Sequence, residues 1–411
     1  MIDNNKHKNE NKHKNGITLK DLGEKKLVSR IIKRNNEFFL SNGFKNSYLS
    51  FLNHNLLDIN GDDAAVIDLG DFFITVSSDT LIEKNHFPKG MSYFQMGWKS
   101  VVVNFSDLNA MNSKPLALLI NISLPSILNI DDFDELIDGI MAASLKYNLP
   151  LIGGDTNQSE EIIISGTAIG INKKESNDSS YNSIFYKYGF NVDDLIAING
   201  FLGLAAIGFL ILNSKKDLDD IKHDLNSLGI EEKFISMCMA AVFQPNANTH
   251  WPDEKDVLSA TDITDGLASE LHEMRIANIN HCLKNNNQNN DNLHDKSFND
   301  FGFLIYEENI PYIDEIKQIA KFFNKNYLDL IFNFGEDFNL IFIIKKDYND
   351  FSKNITEFSK NINDINKNDN LFAKIKIIGQ VTNTNKIELK LKDNAIMELN
   401  SKGFQHFNNS N

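Results

Sequence analysis

Phe72-Phe73-Ile74-Thr75-Val76-Ser77-Ser78-Asp79-Thr80-Leu81 is an apolar run that passes into two hydroxyls and a carboxylate. Val, Ile and Phe in its first five positions read as a strand over 72–78, beside a second strand at 64–68. Downstream, Phe94, Trp98, Val101, Phe105 and Leu108 recur at 4-3-4-3 spacing, which is one apolar stripe of a helix. Ser100, Asn104 and Asp107 share a different face of that helix. Leu116–Leu124 reads as a buried strand, 131–147 as a second helix, and 149–153 and 161–171 as further strands. This alternation predicts an α/β domain ending near 172.

The pattern of a carboxylate beside small residues recurs along the chain. Asn60-Gly61-Asp62-Asp63, Asn104-Phe105-Ser106-Asp107, Gly153-Gly154-Asp155-Thr156, Asp262-Ile263-Thr264-Asp265-Gly266 and Gly335-Glu336-Asp337 join Ser77-Ser78-Asp79-Thr80. Each alone reads equally as a turn or a helix cap, and Asp265, just before the helical pattern from Leu267 to Met274, fits a cap as well as a metal ligand. Together they read as one acidic site assembled from several loops. Mg²⁺ takes oxygen ligands and shares carboxylates with substrate phosphates, so Asp63, Asp79, Asp107, Asp155 and Asp262 read as a bed for two or more ions. No general base stands out, as expected if the nucleophile is a phosphate oxygen already ionised near neutral pH.

The 411 residues suffice for two or three domains, and 42% hydrophobic content supports a folded chain. Asp and Glu total 56 against 41 Lys and Arg, a formal charge of −15, which disfavours nucleic acid as the main partner. An anionic substrate then needs metal ions to bind. Two cysteines, Cys238 and Cys282, give neither a disulfide framework nor a zinc spacing. The Asn-, Lys- and His-rich start has no apolar core, and the longest apolar stretch, Phe201 to Leu212, is too short for a bilayer; a cytoplasmic protein without a membrane span is expected. Residues 1–16 read as a disordered tail and 18–40 as a helix with Leu22, Leu27, Ile31 and Ile32 on one side. After a polar connection at 173–194, a second domain opens with the strand Leu195–Asn199. Strands are expected at 301–306, 339–345 and 373–381, with Asn-rich insertions near 284–300 and 354–370. P-loop and protein-kinase motifs are absent.

From about Gly61 to Phe407, the order of these motifs resembles the thiamine-monophosphate kinase family. Its superfamily includes aminoimidazole ribonucleotide synthetase, selenophosphate synthetase and the hydrogenase-maturation carbamoyl dehydratase. Gly61-Asp62-Asp63-Ala64-Ala65-Val66, Ser77-Ser78-Asp79-Thr80-Leu81 with Asn85-His86-Phe87, and Asn104 to Met111 carry the resemblance, together with Leu151 to Thr156, Asp262 to Leu267 and Gly335 to Phe338. It implies a two-domain α/β (α+β) fold of the aminoimidazole ribonucleotide synthetase type. An N-terminal mixed sheet at 17–172 would form a dimer barrel, and a C-terminal α/β sandwich would cover 173–407. It also implies direct in-line transfer of the γ-phosphoryl of ATP to thiamine monophosphate, assisted by several Mg²⁺ ions, in a homodimer. By resemblance, Asp63, Ser77, Ser78, Asp79, Asp107, Asp155, Asp262 and Asp265 match metal positions. Gly154, Asp155, Lys187 and Thr264 match nucleotide contacts, and His86, Glu336 and Phe404 match contacts to thiamine phosphate.

The chain departs from the family pattern in places. Ser78 stands for a usual Thr, Lys187 for a usual Arg, Phe334 for a frequent Gly and Asn339 for a usual Glu. Gln244-Pro245-Asn246-Ala247-Asn248 stands where Pro followed by Arg is common. Within the superfamily, a selenophosphate synthetase would carry a reactive Cys near its N-terminus, where none precedes Cys238. The carbamoyl dehydratase would end on Cys, where this chain ends Asn408-Asn409-Ser410-Asn411.

Overall fold

The computed structural model describes residues 19–41, 62–174, 184–288, 301–347 and 375–400. The disordered-tail expectation for 1–16, Phe404, and most of both Asn-rich insertions lie outside these residues. The chain forms two compact units, Met1–Asn46 with Gln405–Asn411, and Ser47–Phe404. In the first, the helix expected over 18–40 is two helices, α1 (Leu19–Leu22) and α2 (Glu24–Ser41). Gly23 separates them at φ +71°, a left-handed conformation that glycine adopts without a Cβ clash.

The larger unit contains two mixed sheets. The first comprises β1 (Ala65–Asp68), β2 (Phe72–Ile82), β3 (Lys114–Leu124), β4 (Leu151–Gln158) and β5 (Ile163–Lys173), in the order β1-β2-β5-β3-β4. Its pairings are antiparallel except β3 with β4, which are parallel. The short helix α3 (Glu83–His86) follows β2, α4 (Tyr93–Ala110) leads to β3, and α5 (Ile130–Lys146) joins β3 to β4. Two motifs expected at strand ends lie inside strands. Ser77-Ser78-Asp79-Thr80 sits within β2, and Gly153-Gly154-Asp155-Thr156 within β4. Cross-strand pairing extends the backbone through small and polar residues that propensity alone would assign to turns.

Helix α4 starts at a capping box: Ser92 Oγ accepts from the Gln95 N–H, and the Gln95 side chain accepts from the Ser92 N–H. Its apolar stripe buries Trp98, Val101, Phe105 and Leu108 in one core with Leu118, Ile120, Leu136 and Ile140. Helices α4 and α5 touch through glycines. A Cβ on Gly97 would lie 2.0 Å from the Leu136 carbonyl oxygen, and one on Gly139 would lie 1.9 Å from that of Phe94. Gly139→Ala is therefore expected to destabilise the protein by about 3 kcal/mol, read by urea unfolding, because neither backbone can yield. Unchanged stability would show that the helices separate freely.

The second sheet runs β12-β11-β8-β10-β6-β9-β7. These strands are β6 (Leu195–Asn199), β7 (Val257–Asp262), β8 (Gly302–Tyr306), β9 (Leu340–Ile344), β10 (Ile375–Thr382), β11 (Ile387–Lys390) and β12 (Ile396–Glu398). With it go α6 (Leu204–Leu212), α7 (Leu218–Ser227), α8 (Glu232–Phe243), α9 (Leu267–Gln288), α10 (Glu315–Phe322) and α11 (Tyr327–Phe332). Ile196, Ile198, Phe303, Ile341 and Ile343 share its core with Ile207, Leu271 and Ile316. Helix α4 also meets this half of the molecule, where the Trp98 indole N–H donates to the Pro245 carbonyl at 2.7 Å. Among the described residues no helix is long and apolar enough to cross a membrane.

Candidate active site

Helix α4 is the ruler of the site. Asn104 lies over the sheet, taking the Asp79 N–H at 3.2 Å and donating to the Ser100 carbonyl at 2.8 Å. It fits because Gly166 opposite has no side chain; a Cβ there would come within 2.2 Å of Asn104. One turn on, Asp107 accepts from the Ser77 hydroxyl. The neighbouring Ser106 points to the second sheet and donates to Asp262, the last residue of β7. Asp107, Asp262 and Asp63 thus converge, each offering an oxygen within 4.8 Å of the others.

This trio is electrostatically unstable alone. Burial pushes the Asp107 carboxyl well above the usual carboxylate range, and the charges of Asp79, Asp262 and Asp63 push it further. Burial and then Asp63 raise Asp262 to about 8, against the Ser106 hydrogen bond and Lys187. Burial raises Asp63 although Lys187 opposes the rise, and burial with the Asp63 charge raises Asp79. Asp63 Oδ1 takes the Thr261 hydroxyl at 3.1 Å, but its buried Oδ2 has no hydrogen-bond partner. An unpartnered buried oxygen on one carboxylate of a group of three suits a divalent cation, so the donor set fits hard metal ions.

Lys187 is the counter-charge of the cluster. Its buried ammonium lies 2.8 Å from Asp63 Oδ1, 3.5 Å from Glu273 Oε2 and 3.9 Å from Glu270 Oε2. These charges lift its pKa well above the ordinary lysine value despite its burial. Asp62, for which the sequence offers no role, accepts the Lys187 backbone N–H at 2.7 Å. Glu270 and Glu273, on the first turns of α9, escaped the sequence reading; their signal is a pair of acids at i, i+3 just after the Asp262-to-Gly266 motif. Glu270 also accepts the Asp265 N–H at 3.1 Å.

A loop of the second half runs beside this cluster. The Glu336 N–H donates to the Thr264 carbonyl at 2.9 Å, and the Phe338 N–H to that of Ile263 at 3.1 Å. Glu336 and Phe338 hold left-handed φ of +65° and +48°, rare for such residues and typical of strained sites. The Glu336 carboxylate pairs with the ammonium of Lys99, 2.7 Å away on α4. His86 closes the turn after β2, its Nδ1 accepting the Ile82 N–H at 2.9 Å. Asp337, also without a sequence role, accepts the Gly203 N–H at 3.2 Å where α6 begins.

Two residues assigned by the motifs to metal sit elsewhere in the single chain. Side chains alternate faces along a strand, so Ser78 turns away from Ser77 and Asp79. Its hydroxyl donates to the Gly166 carbonyl at 2.8 Å. Asp155 pairs with Asn121, which pairs with Ser165, which pairs with Thr80. That ladder puts Asp155 three strand spacings, about 14 Å, from Thr80 and on the face opposite Asp79. Its carboxylate there accepts the Thr156 N–H and the Asn157 amide, both at 2.9 Å. The exposed residues Ser78, Thr80 and Asp155 mark this face of the sheet as open.

The occupancy of the acid trio by protons sets a stability rule. A carboxyl raised from about 4 when unfolded to about 8 in Asp262 binds its proton more tightly in the folded state. The contribution of Asp262 to metal-free stability is thus greatest below about pH 4 and is lost as pH rises through about 8. A metal ion that displaces those protons reverses the trend. The rise in melting temperature on adding Mg²⁺ is expected to be larger at pH 8 than at pH 6; an equal rise at both would refute the linkage.

The family of AIR synthase related protein, N-terminal domain, matches residues 61–172. A thiamine-monophosphate kinase of Buchnera aphidicola subsp. Schizaphis graminum is 30% identical over 87% of this chain and 96% of its own length. One from Pyrococcus abyssi is 27% identical over 84% of this chain and 90% of its own. Among solved structures, one described as AaThiL complexed with AMPPCP and TMP superposes with a TM-score of 0.67 at 21% identity, covering 95% of this chain and 99% of that one. The fold is therefore of the aminoimidazole ribonucleotide synthetase type.

Proposed function

The chain belongs to the thiamine-monophosphate kinase family, and from that premise we propose that it transfers the γ-phosphoryl group of ATP to thiamine monophosphate, giving thiamine diphosphate and ADP. The observation that carries the reading to this chain's own residues is the convergence of Asp63, Asp107 and Asp262, with an unpartnered buried oxygen on Asp63. Mg²⁺ held there would neutralise phosphate charge and clamp the attacking and leaving oxygens of an in-line transfer.

The chain's own contributions combine the hydrogen bonds of the site with the roles the family motifs assign. Ser77, Ser106 and Thr261 orient the three carboxylates by hydrogen bonds. By their motifs, Asp79 and Asp265 add to this acidic bed. Lys187 is suited to pairing with nucleotide phosphate as metal ions take over its carboxylate partners. Thr264 belongs with it at the nucleotide, and His86, Glu336 and Phe404 at thiamine phosphate. The acceptor phosphate needs no protein base, because its oxygen is largely ionised near neutral pH.

Gly154 and Asp155 enter the nucleotide and metal set through the assembled homodimer, in which a second copy covers the open face of the first sheet. The motif and the exposure of β4 support that assignment. A domain boundary at 172/173 is supported by the change of sheet between β5 and β6, within the one compact unit Ser47–Phe404. A cytoplasmic setting accords with the low cysteine count. Incubation of the full chain with ATP, Mg²⁺ and thiamine monophosphate tests the reading: thiamine diphosphate and ADP should appear in equal amounts. ATP consumption only with a different acceptor, or none at all, would overturn it.

A further inference from the structure

Lys99 is the sole cation of α4 and is 1% exposed. A lysine is rarely buried without a specific partner, since its ammonium loses hydration. Here two acceptors compensate. Nζ donates to the His86 carbonyl at 2.9 Å and to Glu336 Oε1 at 2.7 Å. The first contact places a cation on the terminal carbonyl of α3, holding the turn that carries His86. The second reaches from the first half of the molecule to the loop of the second. One ammonium therefore fixes the relative positions of the segments bearing His86 and Glu336.

Glu336 is clamped at both ends. Its N–H is tied to the Thr264 carbonyl, its φ is +65°, and one carboxylate oxygen is bound to Lys99. The other, Oε2, is buried and has no hydrogen-bond partner. A buried acceptor left open costs stability in a resting protein, and a ligand N–H or amino group would satisfy it. We propose that Lys99 is a positioning residue of the acceptor site: it holds Glu336 by one oxygen so that the other accepts a hydrogen bond from an amino-bearing acceptor. This rests on the thiamine-phosphate reading and adds to it a residue that no motif contains. The ammonium of Lys99 is engaged by the His86 carbonyl and Glu336 rather than by the acid trio, so its effect should be confined to the acceptor.

The test is a double-mutant cycle with Lys99→Met, Glu336→Gln and both together, measured by steady-state kinetics with ATP, Mg²⁺ and thiamine monophosphate. Lys99→Met alone leaves a buried unpaired carboxylate and could unfold; the double variant removes both charges and keeps the experiment readable. The KM for thiamine monophosphate is expected to rise about 10-fold or more in Glu336→Gln, as for loss of a charge-assisted hydrogen bond. The double variant should show the same rise within about twofold, because Lys99 acts through Glu336. The KM for ATP should stay near wild type in both. A double variant with wild-type KM for thiamine monophosphate, losses that multiply, or an equal rise in the KM for ATP would overturn the proposal. A wild-type protein that fails to phosphorylate thiamine monophosphate would instead overturn the functional reading, and this proposal with it.

Discussion

Asp107→Asn is expected to abolish most turnover while making the metal-free protein more stable. Asp107 is partly buried, and its carboxyl is raised well above the usual range by desolvation and by Asp79, Asp262 and Asp63. Asparagine keeps the shape and an oxygen to accept from the Ser77 hydroxyl, but it removes the charge. Without metal, that relieves repulsion in the trio, so melting temperature in EDTA at pH 8 should rise. With Mg²⁺ and ATP, it removes a ligand where phosphate charge is neutralised, a loss of about 4 kcal/mol or roughly 10³-fold in kcat. Opposite signs on stability and activity are the signature of a site built to hold cations. Turnover above a tenth of wild type, or a lowered melting temperature in EDTA, would sink the assignment.

Gly335→Ala should disable the enzyme by a different route. A Cβ at this position would lie 1.8 Å from the Thr264 carbonyl oxygen, with the Thr264 carbonyl carbon at 2.7 Å and Asp265 Cα at 3.0 Å. All three are backbone atoms and cannot rotate away. The strand-like contact that joins Glu336 to Thr264 must open, carrying Glu336 away from Lys99 and shifting Thr264 and Asp265. Expected costs are about 3 kcal/mol in stability and about 100-fold in kcat/KM for thiamine monophosphate, since a displacement near 1 Å at a reacting site has that effect. Thermal melting and steady-state kinetics on the variant measure both. Wild-type kinetics would mean that the loop is not held against the motif it touches.

Parts of this architecture were legible from the residues. The apolar stripe Phe94, Trp98, Val101, Phe105 and Leu108 gave α4 with Trp98, Val101, Phe105 and Leu108 buried. The Leu195–Asn199 strand was legible to the residue, because a short run of buried apolar residues bounded by a polar connection and a glycine turn has one reading. Helices α7, α8, α10 and α11 were not read, and α1 and α2 were read as one. The signals of α7, α8, α10 and α11 are short patterns that packing against neighbouring helices makes stable.

Chemical identity and chain order were enough to single out the carboxylates that read as an acidic phosphate site, because clustered acids beside small residues have few other uses. Which of them meet was settled only in three dimensions. Local sequence does not encode which strand lies three places away, or which face each residue takes after pairing. Hence Asp63, Asp107 and Asp262 converge from three distant stretches, while Ser78 and Asp155, equally prominent in the motifs, fall on the opposite face of the first sheet. Burial decided the rest. It made Lys99, the lone cation of α4, a link between His86 and Glu336, and Lys187 the counter-charge of the cluster.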